Sequence, residues 1–233
     1  MTSEAHPAMP HMSVNKSPDE NTEQLRFHPL LSAVAHVLSV ICHPLFVPVI
    51  GTWLVIKTHP FAFAGFDHKS LFRIYGSVAS NTVILTGFTV LILKQLKFIS
   101  SIRLPTRRDR VVPYVATMTF YFWAFMVFKH QPQIPGMLTA FLLGNFIAVI
   151  LAFLSNLMLK ISMHALGMGG LLGLACCFIG DPYYNITLPL MVIILVTGAV
   201  CTSRLILGEH SLREIYLGAL FGVFAQLLAS WLI

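Results

Sequence analysis

The sequence predicts an all-α fold, a polytopic membrane helix bundle with six or seven transmembrane helices. Three observations carry that expectation. Hydrophobic residues make up 56% of the 233-residue chain and charged residues 10%, with a mean hydropathy of +0.78, whereas soluble domains carry roughly 25% charged residues. Apolar runs follow one another from about residue 30 to the C-terminus, most of them close to the ~20 residues that cross hydrocarbon as a helix. Of the nine acidic residues, Glu4, Asp19, Glu20 and Glu23 lie near the N-terminus, so only Asp67, Asp109, Asp181, Glu209 and Glu214 remain for everything else.

Residues 1–28 are polar, contain three prolines and show no apolar periodicity. They read as a disordered tail without the apolar core and cleavage site of a signal peptide. Residues 29–233 form the transmembrane domain, with helices expected near 30–57, 71–94, 112–128, 136–159, 161–180, 187–203 and 208–232. The first run holds His43-Pro44 and Pro48, so it is expected to be kinked or broken. A six-crossing arrangement with a re-entrant first segment stays open beside the seven-crossing one. His36 and His43, seven residues apart, would share a helix face. Asn81, Asn145, Asn156 and Gln226 lie at apolar depth, where amides usually hydrogen-bond inside the bundle.

The net charge of +6 suits anionic lipid headgroups or nucleic acid. No basic-aromatic domain outside the membrane could hold a nucleic acid, so membrane lipids are the expected partners. Cys42, Cys176, Cys177 and Cys201 all fall in apolar runs, with neither zinc-type spacing nor a disulfide framework, and read as packing residues.

Three polar stretches interrupt the apolar pattern. The first, residues 94–113, collects Lys94, Lys97, Arg103, Arg107, Arg108 and Arg110. A cytoplasmic loop obeying the positive-inside bias explains lysine and arginine equally, but guanidinium forks also bind phosphate oxygens in pairs. The second is Lys160 to Gly170, with Ser162 and His164 at the mouth of a helix whose glycines (Gly167, Gly169, Gly170, Gly173) permit close packing. The third is Ser203 to Glu214. With helix from about 208, His210 and Glu214 would lie one turn apart on one face. The carboxylate would hold Nδ1–H and leave Nε2 free to attack. Glu209, rotated off that face, would pair with Arg213 four residues on. Arg204 would bind the oxygens of an anion.

Crossing parity brings the three stretches together. Two crossings separate the first from the second, and two more separate the second from the third, so all lie at one membrane surface. With the tail on that side, eleven of the fifteen Lys and Arg residues fall there, which the positive-inside bias reads as cytoplasmic. The expected location is the cell membrane, crossed several times (the inner membrane if the source is bacterial).

These residues resemble the type 2 phosphatidic-acid phosphatase superfamily, whose motifs are K-x6-R-P, P-S-G-H and S-R-x5-H-x3-D. Ser203-Arg204, His210 and Glu214 match the third in every spacing, with Glu for Asp. Ser162-Met163-His164 keeps Ser-x-His of the second, and Arg103 with Arg110 matches the spacing of the first. The resemblance spans about residues 95–220. It implies hydrolysis of a lipid phosphate or diphosphate head group: His210 as nucleophile, His164 as acid and base, and Glu214 orienting His210. Arg103, Arg110, Ser162, Ser203 and Arg204 would hold the phosphoryl oxygens. No metal and no cofactor are implied. Three other readings fit the same residues. They are a non-catalytic lipid-phosphate-binding membrane protein, a metal-dependent membrane hydrolase ligated by His164, His210 and Glu214, and a transporter using membrane histidines as proton relays.

Overall fold

The protein is represented by a computed structural model that describes residues 28–99, 101, 106–181 and 186–233. Among these residues the chain is helical and has no strand. Helix α1 (Pro29–Ile41) gives way at Cys42 to a short 3₁₀ turn, Pro44–Phe46, and then to α2 (Val47–Thr58). The break falls at His43-Pro44, as the sequence predicts: proline removes a backbone donor and clashes with the preceding turn. Helices α3 (His68–Ala79) and α4 (Leu85–Gln95) are joined through a π-helical turn, Ser80–Ile84, into one continuous rod. Then follow α5 (Arg107–Lys129), α6 (Gly136–Met158), α7 (Met163–Cys177), α8 (Thr187–Ile206) and α9 (Leu212–Leu232).

Two helix starts differ from the sequence expectation by four residues or more, and both differences have the same cause. Helix α5 begins five residues before 112, because the Thr106 hydroxyl accepts the Asp109 N–H at 3.1 Å and caps it. Arg108 and Arg110 therefore ride on the helix instead of a loop. Helix α9 begins at Leu212 and not near 208, because Ser211 caps it and Gly208 has already ended α8.

Among the described residues, six helical rods are long and apolar enough to cross a membrane: 29–58, 68–95, 108–129, 136–158, 187–206 and 212–232. Helix α7 has 15 residues, roughly 22 Å at 1.5 Å per residue, which is short for a bilayer. It nevertheless runs between the two faces. Its start and the end of α8 both bond to Ser39, so α7 and α8 are antiparallel. Just beyond its other end, Asp181 Oδ2 meets His59 Nε2 at 3.0 Å, below α2. Its length matters less because neighbouring helices enclose it: Ala165, Leu166, Met168, Leu171, Leu174 and Ala175 are all buried. The lipid-facing helices instead carry exposed apolar side chains, such as Leu188 and Leu195 on α8. In water such a surface would drive association; around a membrane bundle it is the face for lipid.

Helices α7 and α9 meet backbone to backbone along a glycine seam. A Cβ on Gly218 would stand 2.6 Å from the Ser162 carbonyl oxygen, and one on Gly173 would stand 2.9 Å from the Val223 Cα. Cβ atoms on Gly169 and Gly222 would collide with the backbones of Ala219 and Leu166. Small residues allow this approach, which gains dispersion contact where no hydrophobic effect operates between helices. Farther along, the Gln226 amide of α9 donates to the Phe141 carbonyl of α6 at 3.4 Å. That bond runs from helix to helix, as expected of the amides at depth. Asn81 and Asn145 depart from the expectation and bond the carbonyls of Ser77 and Phe141, four residues back on their own helices.

Candidate functional site

The seam fixes where the second and third polar stretches meet. Ser162 N–H, at the cap of α7, donates to the Glu214 carbonyl at 3.1 Å, so the first turns of α7 and α9 are joined directly. Between α8 and α9 the chain makes a tight reversal. The Gly208 N–H bonds the Leu205 carbonyl at 2.9 Å and the Glu209 N–H bonds the Arg204 carbonyl at 3.3 Å, the paired bonds of a Schellman stop. Gly208 has φ +63°, a conformation open to glycine. Three residues on, the Ser211 hydroxyl accepts the Glu214 N–H at 3.4 Å and restarts the helix.

His210 therefore lies outside any helix, in the link between a stop and a cap, and the assumed helix from 208 is corrected. Its contact with Glu214 forms nonetheless: Nδ1 lies 2.6 Å from Oε2. The carboxylate accepts the Nδ1–H, which leaves the Nε2 lone pair uncommitted. Burial pushes His210 below the ordinary histidine value and the Glu214 hydrogen bond pulls it back up. The charges of Lys160 and Arg204 push it down again, leaving it lowered on balance.

The same reversal corrects the pairing of Glu209. Because the chain folds back over α8, the Glu209 carboxylate forms an ion pair with Arg204; no helix runs from 209 to 213 to bring Arg213 beside it. Arg204 is 6% exposed. Its Nη1 donates to the Ser39 hydroxyl at 3.3 Å, and its Nε is buried with no partner.

Ser39 holds a second site residue. His164 Nε2–H donates to the Ser39 carbonyl at 3.0 Å. A carbonyl only accepts, so Nε2 carries the proton and Nδ1 is the nitrogen left for chemistry. The His43 ring lies edge-on to His164, with centroids 5.5 Å apart. Its own Nδ1 accepts the Leu45 N–H at 3.3 Å. The chain break thus separates His36 and His43 into different segments instead of placing them on one helix face, yet both line the site.

These groups surround a cavity of about 930 Å³. Its lining carries Arg110, Lys160, His164, Arg204, Glu209 and His210, together with Val90, Leu91, Tyr114, Val149 and Leu166. Arg110 hydrogen-bonds Tyr114 on this wall, and Lys160 Nζ donates to the Glu209 carbonyl at 2.9 Å.

Of the residues singled out by sequence, His164, His210, Arg204 and Arg110 come together here, with Glu214 bonded to the far nitrogen of His210. Arg103 lies outside the described residues. The serine hydroxyls are not turned to the cavity. Ser162 is fully buried and caps α7 by accepting the Ala165 N–H at 3.4 Å. Ser203 donates to the Ala199 carbonyl at 2.8 Å. Helix capping and backbone bonding are the commonest local uses of serine, and they take both hydroxyls away from phosphate binding. Lys160 and Ser39 are additions. Only the position of Lys160 beside Ser162 hinted at the first, and no local signal marks the second.

Among the described residues no three His, Cys, Asp or Glu side chains converge as metal ligands. No family model, no curated protein and no solved structure matches this chain.

Proposed function

We propose that this chain is an integral membrane phosphatase of the type 2 phosphatidic-acid phosphatase superfamily. It hydrolyses the phosphate or diphosphate head group of a lipid through a phosphohistidine, without a metal. One observation carries the reading: an imidazole whose Nδ1 is held by a carboxylate at 2.6 Å lines one cavity with Arg110, Lys160 and Arg204. A carboxylate-held imidazole is a nucleophile, and three cations around it suit a phosphoryl group.

In the first step His210 Nε2 donates its lone pair to phosphorus and the bond to the leaving oxygen breaks. Glu214 stabilises the charge that develops on the ring. The leaving alkoxide takes a proton from Nδ1 of His164, a proton that the substrate's own phosphate brings to this buried ring, while Nε2–H stays on Ser39. In the second step His164 Nδ1 removes a proton from water, the resulting hydroxide adds to phosphorus, and the P–N bond breaks. Inorganic phosphate leaves and His210 is restored. Arg204, Arg110 and Lys160, with Arg103 by the resemblance, hold the equatorial oxygens where the transition state spreads its charge. The cavity's apolar lining suits a lipid chain. The membrane is the cell membrane, and the site faces the cytoplasm.

The test is phosphate release by detergent-purified protein from a lipid phosphomonoester in excess EDTA, with His210→Asn as control. Turnover that survives EDTA and vanishes in the variant is the expected result. Turnover that EDTA abolishes and zinc restores would replace the reading with a metal-dependent hydrolase. Tight binding of the lipid without turnover would replace it with a non-catalytic binder, which the diversion of both serine hydroxyls favours as second reading.

A further inference from the structure

We propose that Glu209 is an internal competitor for Arg204, displaced by a doubly charged phosphomonoester or a diphosphate but not by a singly charged phosphodiester. The inference rests on the phosphate-site reading above and adds a filter to it.

Among the described cations of the site, Arg204 alone is almost wholly buried. Its guanidinium divides its donors three ways: Nη1 to Ser39, Nη2 to the Glu209 carboxylate, and Nε to no protein group. A buried cation without a counter-charge is costly, so Glu209 stabilises the site when no ligand is present. An arriving phosphoryl group brings its own charge to the same guanidinium. Both anions cannot stay there, because like charges at contact distance repel strongly away from bulk water.

The geometry lets Glu209 be the one that leaves. Its side chain is 43% exposed while that of Arg204 is 8% exposed, so the carboxylate can swing into water at little cost. Its backbone does not have to follow. The N–H is held by the Arg204 carbonyl and the carbonyl by Lys160, so His210, the next residue, keeps its place during the exchange. Glu214 cannot substitute, because its carboxylate is bonded to His210 on the other side of the reversal.

Exchange makes affinity a difference. A ligand gains its contacts with Arg204 and loses those of Glu209, so apparent affinity falls by the fraction of sites the carboxylate holds. A phosphomonoester, with close to two negative charges at neutral pH, outcompetes one carboxylate. A phosphodiester, with a single charge like the carboxylate itself, gains little by the exchange. The bulk phosphodiester lipids of a membrane would thus be kept off Arg204 without any steric gate.

The experiment measures binding of inorganic phosphate and of diethyl phosphate to the full-length protein in detergent at pH 8, by calorimetry. The comparison is wild type against Glu209→Gln and Glu209→Asp. Glu209→Gln is expected to bind inorganic phosphate and diethyl phosphate each about tenfold more tightly, since a competitor that holds Arg204 lowers both affinities by the same factor. Glu209→Asp retains the charge but, one methylene shorter, draws back from Arg204, and it is expected to move the same way. If Gln fails to fold, Asp alone carries the test. Phosphate binding by wild type with both variants unchanged or weaker overturns the competitor and leaves the phosphate site standing. An effect in Gln and none in Asp also overturns it, because general charge and not pairing would then be responsible. If no form binds phosphate, the phosphate-site reading fails and takes the filter with it.

Discussion

Nδ1 of His210 lies 2.6 Å from Oε2 of Glu214, although the two residues stand on opposite sides of a helix cap. Ser211 between them starts α9, so the four-residue spacing works here as a cap geometry and not as one helical turn. In the usual capping box the glutamate at the third helical position reaches back to the backbone of the cap residue. Here it reaches one residue further, to an imidazole.

The first prediction follows from that pair. Removal of the orienting carboxylate cost a factor of about 10⁴ in a serine hydrolase triad, so Glu214→Gln should lower kcat at least tenfold. His210→Asn should abolish turnover and any acid-labile phosphoenzyme trapped with radiolabelled substrate. Glu214→Asp should retain measurable activity, because the shorter side chain still begins on the same cap. Wild-type kcat in Glu214→Gln would remove Glu214 from the mechanism.

A pH profile gives the second. The nucleophile is the neutral ring, and His210 is held below its ordinary value of 6.5, by burial first and by Lys160 and Arg204 besides. The acid limb of kcat/KM should therefore fall below pH 6.5. Glu214 opposes that shift, so Glu214→Gln should carry the limb to still lower pH while depressing the plateau. A limb that moves upward in this variant would mean another group controls it.

How much of this was readable in the sequence depends on the distance over which each signal acts. Hydropathy runs gave the rods, because each segment meets lipid on its own. The proline after His43 gave the break in the first rod for a similarly local reason. The starts of α5 and α9 were also written locally, as Thr106 before Asp109 and Ser211 before Glu214, but the apolar periodicity drew attention past them. Gly208 likewise marked the end of α8. Crossing parity put His164 near His210 without any contact information. The role of Ser39 could not be found this way. Its partners lie 125 and 165 residues away, and a serine in an apolar helix looks the same whether it bonds its own backbone or a distant arginine.

Ser39 supplies the third prediction. Its hydroxyl serves Arg204 and its carbonyl serves His164, so Ser39→Ala should remove the first contact and spare the second. KM for a phosphomonoester should rise severalfold, the order expected for one hydrogen bond to a charged group, with little change in kcat. Ser39→Thr should restore it. His164→Ala should do the reverse: kcat falls, yet phosphohistidine still forms from an activated leaving group such as p-nitrophenolate. Equal loss of phosphoenzyme in His164→Ala and His210→Asn would count against separate roles.

The fourth concerns the seam. A methyl group on Gly222 meets the Leu166 carbonyl of α7, whereas one on Gly198 of α8 meets nothing within 4 Å. Forcing an extra carbon into a packed contact costs roughly 1–3 kcal/mol, so Gly222→Ala should lower Tm in detergent by several degrees. Gly198→Ala should hold or raise it, since alanine in a helix is favoured by about 1 kcal/mol. Equal effects of the two would show that the seam does not limit stability.

The last prediction is sidedness. Read from the sequence alone, with the N-terminal residues counted on that side, crossing parity assigns eleven basic residues to the site face and four to the other: Lys57, Lys69, Arg73 and Lys129. Several of the eleven are explained without the positive-inside bias, since Arg103, Arg110, Lys160 and Arg204 serve as proposed phosphate ligands. Seven remain against four, and the bias counts loop charges near the helix ends, so the site face should be cytoplasmic. Two exposed glutamines report on it. Gln95 ends α4 on the site face, and Gln133 lies in the opposite loop before α6. Neither is charged, so replacing them leaves the count untouched. With the four native cysteines replaced, Gln133→Cys should react with a membrane-impermeant maleimide in intact cells, and Gln95→Cys only after permeabilisation. The opposite pattern would turn the site outward. It would leave the hydrolytic chemistry standing and restrict the substrate to lipids of the outer leaflet.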